Sequence, residues 1–292
     1  MQQRSAMQIA RHARCENGEN LMGGKPDVSS VLLTGARGIV GGHLFHHLAQ
    51  SANEFHVTRF YGDIRSKHDV RRCIADIGRI DVVINLAAKV EVKSTKERPD
   101  IAYFVNAGGV LNLLSELESS GQFPYFFQCS TSHVYAPSEG AIRETDRTGP
   151  VSVYGRTKLM AEAVTQDVCK ANGLPFCIGR LFSIHDPNQT GSYLRPSIER
   201  RFRDEDLNEP FELHGANSVR DFLTAEDAAR LIAELVYKRA EGIINIASGK
   251  GTKVRDFVQS LCSQKLNIVH LGATDSLVAD TRLLKSIVGT NP

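Results

Sequence analysis

From Val31 onward, short apolar runs alternate with amphipathic stretches. VLLTG (31–35) is a leucine and β-branched run stopped by glycine, as expected of a strand covered on both faces. GIVGGHLFHHLAQS (38–51) follows with helical spacing, and FHVTRF (55–60) and DVVINLAA (81–88) read as further strands. Residues 99–119 read as one helix with proline in its first turn. YFFQCSTS (125–132) predicts a strand, 154–171 a helix and FCIGRLFS (176–183) another strand. Strands alternating with helices imply a doubly wound parallel sheet with helices on both faces, a Rossmann-type α/β fold.

After Ser183 the pattern changes. Residues 185–215 are polar and broken by proline and glycine, RDFLTAEDAARLIAELVYK (220–238) resumes a helical period, and INIAS (244–248) is a short strand. The expected organisation is a Rossmann domain over 29–183, rejoined by 219–247. Residues 184–218 and 248–292 would form a small interleaved substrate-binding lobe. Residues 1–28 lack a sustained apolar period and read as a tail outside the fold.

Composition adds exclusions. Lys plus Arg number 35 against 33 Asp plus Glu, a net charge of +2, which gives no long-range field for nucleic acid or an anionic membrane. No apolar run is long enough for a membrane-spanning helix. The six cysteines form no C-x-x-C pair and no zinc spacing, which suits a reduced, cytoplasmic protein and predicts no metal. His43, His46 and His47 cluster on one predicted helix without an evident carboxylate partner, and read as packing and surface residues.

Candidate chemistry begins at Gly35-Ala36-Arg37-Gly38-Ile39-Val40-Gly41, between a strand and a helix. Its glycines allow a tight turn and close approach to a pyrophosphate, which a helix N-terminus favours. An acidic residue binding the ribose 2′-hydroxyl of NAD is expected about 20 residues on. The second strand instead ends Thr58-Arg59, so Arg37 and Arg59 favour the 2′-phosphate of NADP(H), with NAD(H) the alternative. Tyr154 and Lys158 stand four apart on one helix face, where an ammonium would favour the phenolate, and Thr131 ends the preceding strand.

The glycine loop, NLAA (85–88), CSTSHVY (129–135) and YGRTK (154–158) occur in the order found in the extended short-chain dehydrogenase/reductases. More narrowly, the chain resembles the NAD(P)-dependent epimerase/dehydratase family acting on nucleotide sugars, to which RLFS (180–183), VRDF (219–222) and Asn245 also correspond. The resemblance implies Tyr154 as general acid/base, Thr131 as its hydroxyl partner, and Lys158 on the nicotinamide ribose. It implies Asp63 and Ile64 at the adenine, Leu86, Ala87 and Ala88 as a wall beside the cofactor, and Asn106 near the lysine. Lys89, Ser132, His133 and Ser183 would face the substrate, a nucleoside-diphosphate sugar whose diphosphate would meet Arg220. A homodimer built through two helices is also implied.

Sugar 4,6-dehydratases of this family carry Asp-Glu directly after the catalytic threonine, where this chain has Ser132 and His133. The loop GARGIVG and LAAKV (86–90) are similar to GDP-fucose synthases, whose epimerising cysteine and histidine correspond to His133 and His185. The short stretch between FHVTRF and GDI (62–64) is similar to dTDP-4-dehydrorhamnose reductases. The resemblance therefore implies NADPH-dependent reduction of a 4-keto-6-deoxy nucleotide sugar. An NAD-dependent nucleotide-sugar 4-epimerase is the alternative. A non-catalytic NADP-binding sensor is a further alternative, although such proteins commonly lose the tyrosine or lysine.

Overall fold

A computed structural model of the chain describes residues 28–51, 54–138 and 140–289. The predicted tail over 1–28 thus lies outside the described residues except for Val28. Six strands, β1 (Ser29–Thr34), β2 (Phe55–Arg59), β3 (Val82–Asn85), β4 (Tyr125–Thr131), β5 (Phe176–Leu181) and the late strand Gly242–Ile246, form one parallel sheet. Their order is β2-β1-β3-β4-β5 and then Gly242–Ile246. This is the Rossmann-type α/β fold.

Both faces of this sheet are covered, which explains the continuous apolar runs. Successive residues of a strand point to opposite faces. Val31, Leu33, Val82, Ile84 and Phe127 accordingly pack with Leu44 and Leu48 of helix Ile39–Gln50 and with Leu231 and Leu235 of helix Ala225–Tyr237. Leu32, Val83 and Phe126 face the other way, against Val70, Ile74, Leu113, Leu117 and Ala161.

The chain order reverses between β1 and β3, because β2 lies on one side of β1 and β3 on the other. That point, at the carboxyl ends of the strands, is where an open α/β sheet forms a ligand crevice.

Outside this sheet lie β6 (Ser183–His185), β7 (Phe211–His214), β8 (Val219–Thr224), β10 (Gly251–Lys253), β11 (Ile268–Leu271) and β12 (Ser276–Leu277), with the late strand of the large sheet numbered β9. β8 pairs with β6, β10 and β12, and β7 pairs with β11.

Two details differ from the sequence pattern. Residues 220–224 are strand rather than the start of a helix, because their alternation, with Phe222 and Thr224 offset from buried Asp221 and Leu223, serves β8. The helix starts after Thr224, whose hydroxyl accepts the Asp227 N–H at 2.9 Å as its N-cap. The stretch 99–119 is also not one regular helix. Pro99–Tyr103 and Gly109–Ser119 are joined by a π-helical turn, Phe104–Gly108, and such turns often reposition a functional side chain.

Among the described residues, Cys73, Cys129, Cys169, Cys177 and Cys262 are free thiols, and no helix is long and apolar enough to cross a membrane.

Candidate active site

Thr34 closes β1 and Gly35 turns the chain at φ +71°. A Cβ at Gly35 would stand 2.6 Å from the Ala87 nitrogen and the Leu86 carbonyl carbon, so only glycine lets the loop press against the end of β3. A Cβ at Gly41 would in turn overlap the Gly35 carbonyl oxygen. Beneath them runs a buried polar ladder. The Thr34 hydroxyl donates to Asn85 Oδ1 at 2.5 Å and accepts the Ala87 N–H at 3.2 Å. Asn85 Nδ2 then donates to Gln128 Oε1 at 2.8 Å. With its hydrogen bonds made, the ladder holds three strand ends in one register.

Gly38 is the N-cap of helix Ile39–Gln50, and no side chain caps it. The first-turn N–H groups of Ile39, Val40 and Gly41 have no preceding carbonyl to serve them. Beside this terminus opens a cavity of about 520 Å³ lined by Gly35, Arg37, Asp63, Ile64, Ala87, Ala88 and neighbouring residues of 60–65 and 101–105. Hydrogen bonds from Arg65 hold the Asp63 carboxyl below the usual carboxylate range, and Asn112 Nδ2 donates to the Ile64 carbonyl at 3.1 Å. Arg59 lies outside this lining, in an adjoining groove, with its guanidinium over the Phe45 ring at 4.2 Å.

The second half of the site lies where β4 ends. The Thr131 hydroxyl accepts the His133 N–H at 3.3 Å and caps a short 3-10 turn, Ser132–Val134. Helix Val153–Asn172 begins opposite, capped by Ser152, whose hydroxyl accepts the Gly155 N–H at 3.1 Å. A Cβ at Gly155 would run into the His133 carbonyl oxygen, so this glycine lets the helix approach the turn. As a result the Tyr154 and His133 rings meet edge to face, with centroids 5.7 Å apart.

Burial raises the Tyr154 phenol well above its ordinary pKa, with the Thr131 hydroxyl pulling the other way. Burial also lowers the pKa of Lys158, which is only 2% exposed and has no ion-pair partner among the described residues. His133 keeps an open edge, yet crowding around the ring and then the Arg220 guanidinium lower its pKa below 6.5.

Asn106, on the π-helical turn, is fully buried. Its Oδ1 accepts the Lys89 N–H at 2.7 Å, and its Nδ2 donates to the Lys89 carbonyl and the Thr157 hydroxyl at 3.0 and 2.8 Å. Asn106 therefore ties the chain after β3 to the helix carrying Tyr154 and Lys158.

Glu162, one turn beyond Lys158, was not singled out from the sequence. It is 1% exposed and receives two hydrogen bonds from buried Arg180, at 3.0 and 2.7 Å, and one from the Ser130 hydroxyl. A signal existed: an arginine inside the apolar strand FCIGRLFS needs a buried acid, and Glu162 continues the i, i+4 face of Tyr154 and Lys158.

The remaining predicted residues are more dispersed. Ser183 and His185 lie on β6. The His185 ring packs on Phe257 at 5.1 Å, and its Nδ1 lies 3.4 Å from Arg195. Burial and then Arg195 lower its pKa, and it makes no contact with His133 or Tyr154 among those described. Arg220 is engaged by Asp275 through 2.8 and 3.0 Å hydrogen bonds. Lys89 is exposed, and Ser132 is buried. His43 does have a carboxylate partner, Asp186 at 2.8 Å, which corrects the expectation that it lacked one. The partner is 143 residues away, beyond any local spacing rule. Among the described residues no group of three or more His, Cys, Asp or Glu is arranged to hold a metal ion.

Residues 31–247 match the model of the NAD dependent epimerase/dehydratase family. The chain belongs to this family. It is an extended short-chain dehydrogenase/reductase, and the family's members are enzymes that modify nucleotide sugars. It is 28% identical over 234 residues to dTDP-4-dehydrorhamnose reductase of Salmonella typhimurium, covering 78% of this chain and 75% of the relative. It is 23% identical over 305 residues to UDP-glucose 4-epimerase of Lactobacillus helveticus, covering 90% and 92%. In fold it is similar to the solved structure of RMD from Pseudomonas aeruginosa complexed with NADPH. That similarity has a TM-score of 0.78 and 24% identity, and covers 89% of this chain and 92% of that one.

Proposed function

We propose that this family member reduces a 4-keto-6-deoxy nucleotide sugar with NADPH. The observation that carries this reading is Tyr154, held beside Thr131 and His133, with Ser132 and His133 standing where a dehydratase of the resembled type would carry two carboxyl groups. The site fits a nicotinamide cofactor. Gly35 leaves room that a Cβ would fill, the 520 Å³ cavity adjoins a helix N-terminus, and Lys158 is a buried ammonium without a carboxylate partner. Leu86, Ala87 and Ala88 would flank the cofactor, Ile39, Val40 and Gly41 would receive its pyrophosphate, and Arg37 and Arg59 its 2′-phosphate. Bound NADPH supplies a hydride for C4.

The Tyr154 hydroxyl gives its proton to the C4 oxygen while the Thr131 hydroxyl hydrogen-bonds the same oxygen. The phenolate left behind is stabilised by the Lys158 ammonium and regains a proton from solvent. Arg220, on a diphosphate, would exchange one anionic partner, Asp275, for another. Ser132, His133, Ser183 and Lys89 would line the sugar side. His185, packed among Phe222, Phe257 and Arg195, would act on the sugar only if substrate bridges it to His133.

Phe104, Leu111 and Met160 are exposed apolar residues at 65%, 46% and 49%, on two packed helical segments, and we assign them to a homodimer interface.

The test is a screen of purified protein with NADPH or NADH against dTDP-, GDP- and UDP-linked 4-keto-6-deoxy sugars, read by absorbance and product NMR. Cofactor oxidation with a 4-hydroxyl product is expected. The match to an epimerase over nine-tenths of the chain supports a second reading, NAD-dependent 4-epimerisation. Tightly held NAD on purification, with UDP-glucose and UDP-galactose interconverted, would establish it and refute the reductase. Cofactor binding without turnover of any of these substrates would point to a sensor instead.

A further inference from the structure

We propose that Tyr61 is the specificity-determining residue that holds Arg37 and Arg59 together as one receptor for the 2′-phosphate, an inference that rests on the NADP reading above. Arg37 comes from the glycine loop and Arg59 from the end of β2, on separate segments of the cofactor end of the sheet. Both guanidinium carbons lie over the Tyr61 ring, at 5.0 and 5.3 Å from its centroid. Neither arginine has an ion-pair partner among the described residues, although arginines such as Arg65, Arg71, Arg98, Arg180 and Arg220 do. Two such cations repel each other, and free in water their long side chains would spread over many rotamers. The face of an aromatic ring attracts a guanidinium without neutralising it. Tyr61 can therefore gather both positive charges while leaving them available to an anion, which a carboxylate could not do.

The position of the ring agrees with this role. Tyr61 lines both the 520 Å³ cofactor cavity, with Arg37, and the adjoining 380 Å³ groove, with Arg59. With Phe60 and Gly62 it is shared by the two, and both guanidiniums converge on its ring. Arg59 is braced further by the Phe45 ring at 4.2 Å. Tyr61 is itself 52% exposed, whereas its neighbour Phe60 is 8% exposed and anchors this corner of the chain. A half-exposed ring contributes little to the core, so its value lies in what it organises. The anion that suits the arrangement is a phosphate monoester on an adenosine ribose, whose oxygens accept from two guanidinium forks.

The test uses the full chain and its dissociation constants for NADPH, NADH and adenosine 2′,5′-bisphosphate. Tyr61→Leu should weaken NADPH and the bisphosphate about 5- to 30-fold, the equivalent of two exposed cation–π contacts. NADH affinity and the melting temperature should stay unchanged, and Tyr61→Phe, which keeps the ring, should bind like the parent. Equal weakening of NADH, or no weakening of NADPH, would overturn the assignment. A Tyr61→Phe variant as poor as Tyr61→Leu would overturn it too, by placing the effect on the hydroxyl. The double variant Arg37→Ala/Arg59→Ala separates the levels. If the parent shows no NADPH preference, the NADP reading itself fails. If the parent prefers NADPH and only the arginine variant loses that preference, the role of Tyr61 fails alone.

Discussion

Tyr154→Phe is expected to lower kcat by about 10²–10⁴-fold, the usual contribution of a positioned general acid, with cofactor affinity nearly unchanged. The phenol ring would remain, so the edge-to-face contact with His133 and the packing of the helix start would persist. Only the proton donor is lost. The pH dependence of the parent follows from the directions of three shifts. The Tyr154 pKa is raised above 10.0 by burial, so the donor is protonated throughout the neutral range and beyond. The Lys158 pKa is lowered below 10.5 by burial, so as pH rises the ammonium loses its charge before the phenol loses its proton. The His133 pKa lies below 6.5, so this imidazole is neutral at pH 7 and charges only on the acid side. A kcat/KM that falls as pH rises, with the midpoint of that limb below pH 10.5, is the expected result. Retained turnover in Tyr154→Phe would refute the assignment of the proton donor.

Glu162→Leu is expected to cost about 3–5 kcal/mol of stability, because it leaves the Arg180 charge buried without its partner. Arg180 is 3% exposed and would lose two hydrogen bonds, and the Ser130 hydroxyl would lose its acceptor. In thermal unfolding this corresponds to a fall in Tm of roughly 6–20 °C. The double variant Glu162→Leu/Arg180→Met should recover most of the loss, since an apolar replacement of both partners removes the desolvation penalty. A single-variant loss under about 1 kcal/mol would show that the pair is not load-carrying within the core. The same variant should also impair turnover, because Ser130 adjoins Thr131 and Glu162 lies one helical turn from Lys158.

Much of the larger sheet was legible because its signals are short-range. Val31–Leu33, Val82–Ile84 and Phe126–Phe127 are apolar on consecutive positions, which only a strand covered on both faces tolerates. The helical period does not separate β8 (Val219–Thr224) from the helix that follows, since a six-residue alternation next to a strong helix is absorbed into the helical pattern. It also could not show the π-helical turn at Phe104–Gly108, whose residues have ordinary helix-compatible side chains. That turn matters because it carries Asn106 to Lys89 and Thr157.

By itself the sequence determined the Rossmann order of elements, the glycine loop and the Tyr154–Lys158 face, because period, glycine spacing and i, i+4 geometry are properties of neighbouring residues. Only the tertiary structure decided that Tyr61 gathers Arg37 and Arg59, that Arg220 meets Asp275, 55 residues on, and that His43 meets Asp186. These contacts join segments with no common period. A buried or clustered charge reveals that it needs a partner, but which partner it finds is set by the packing of distant strands and helices.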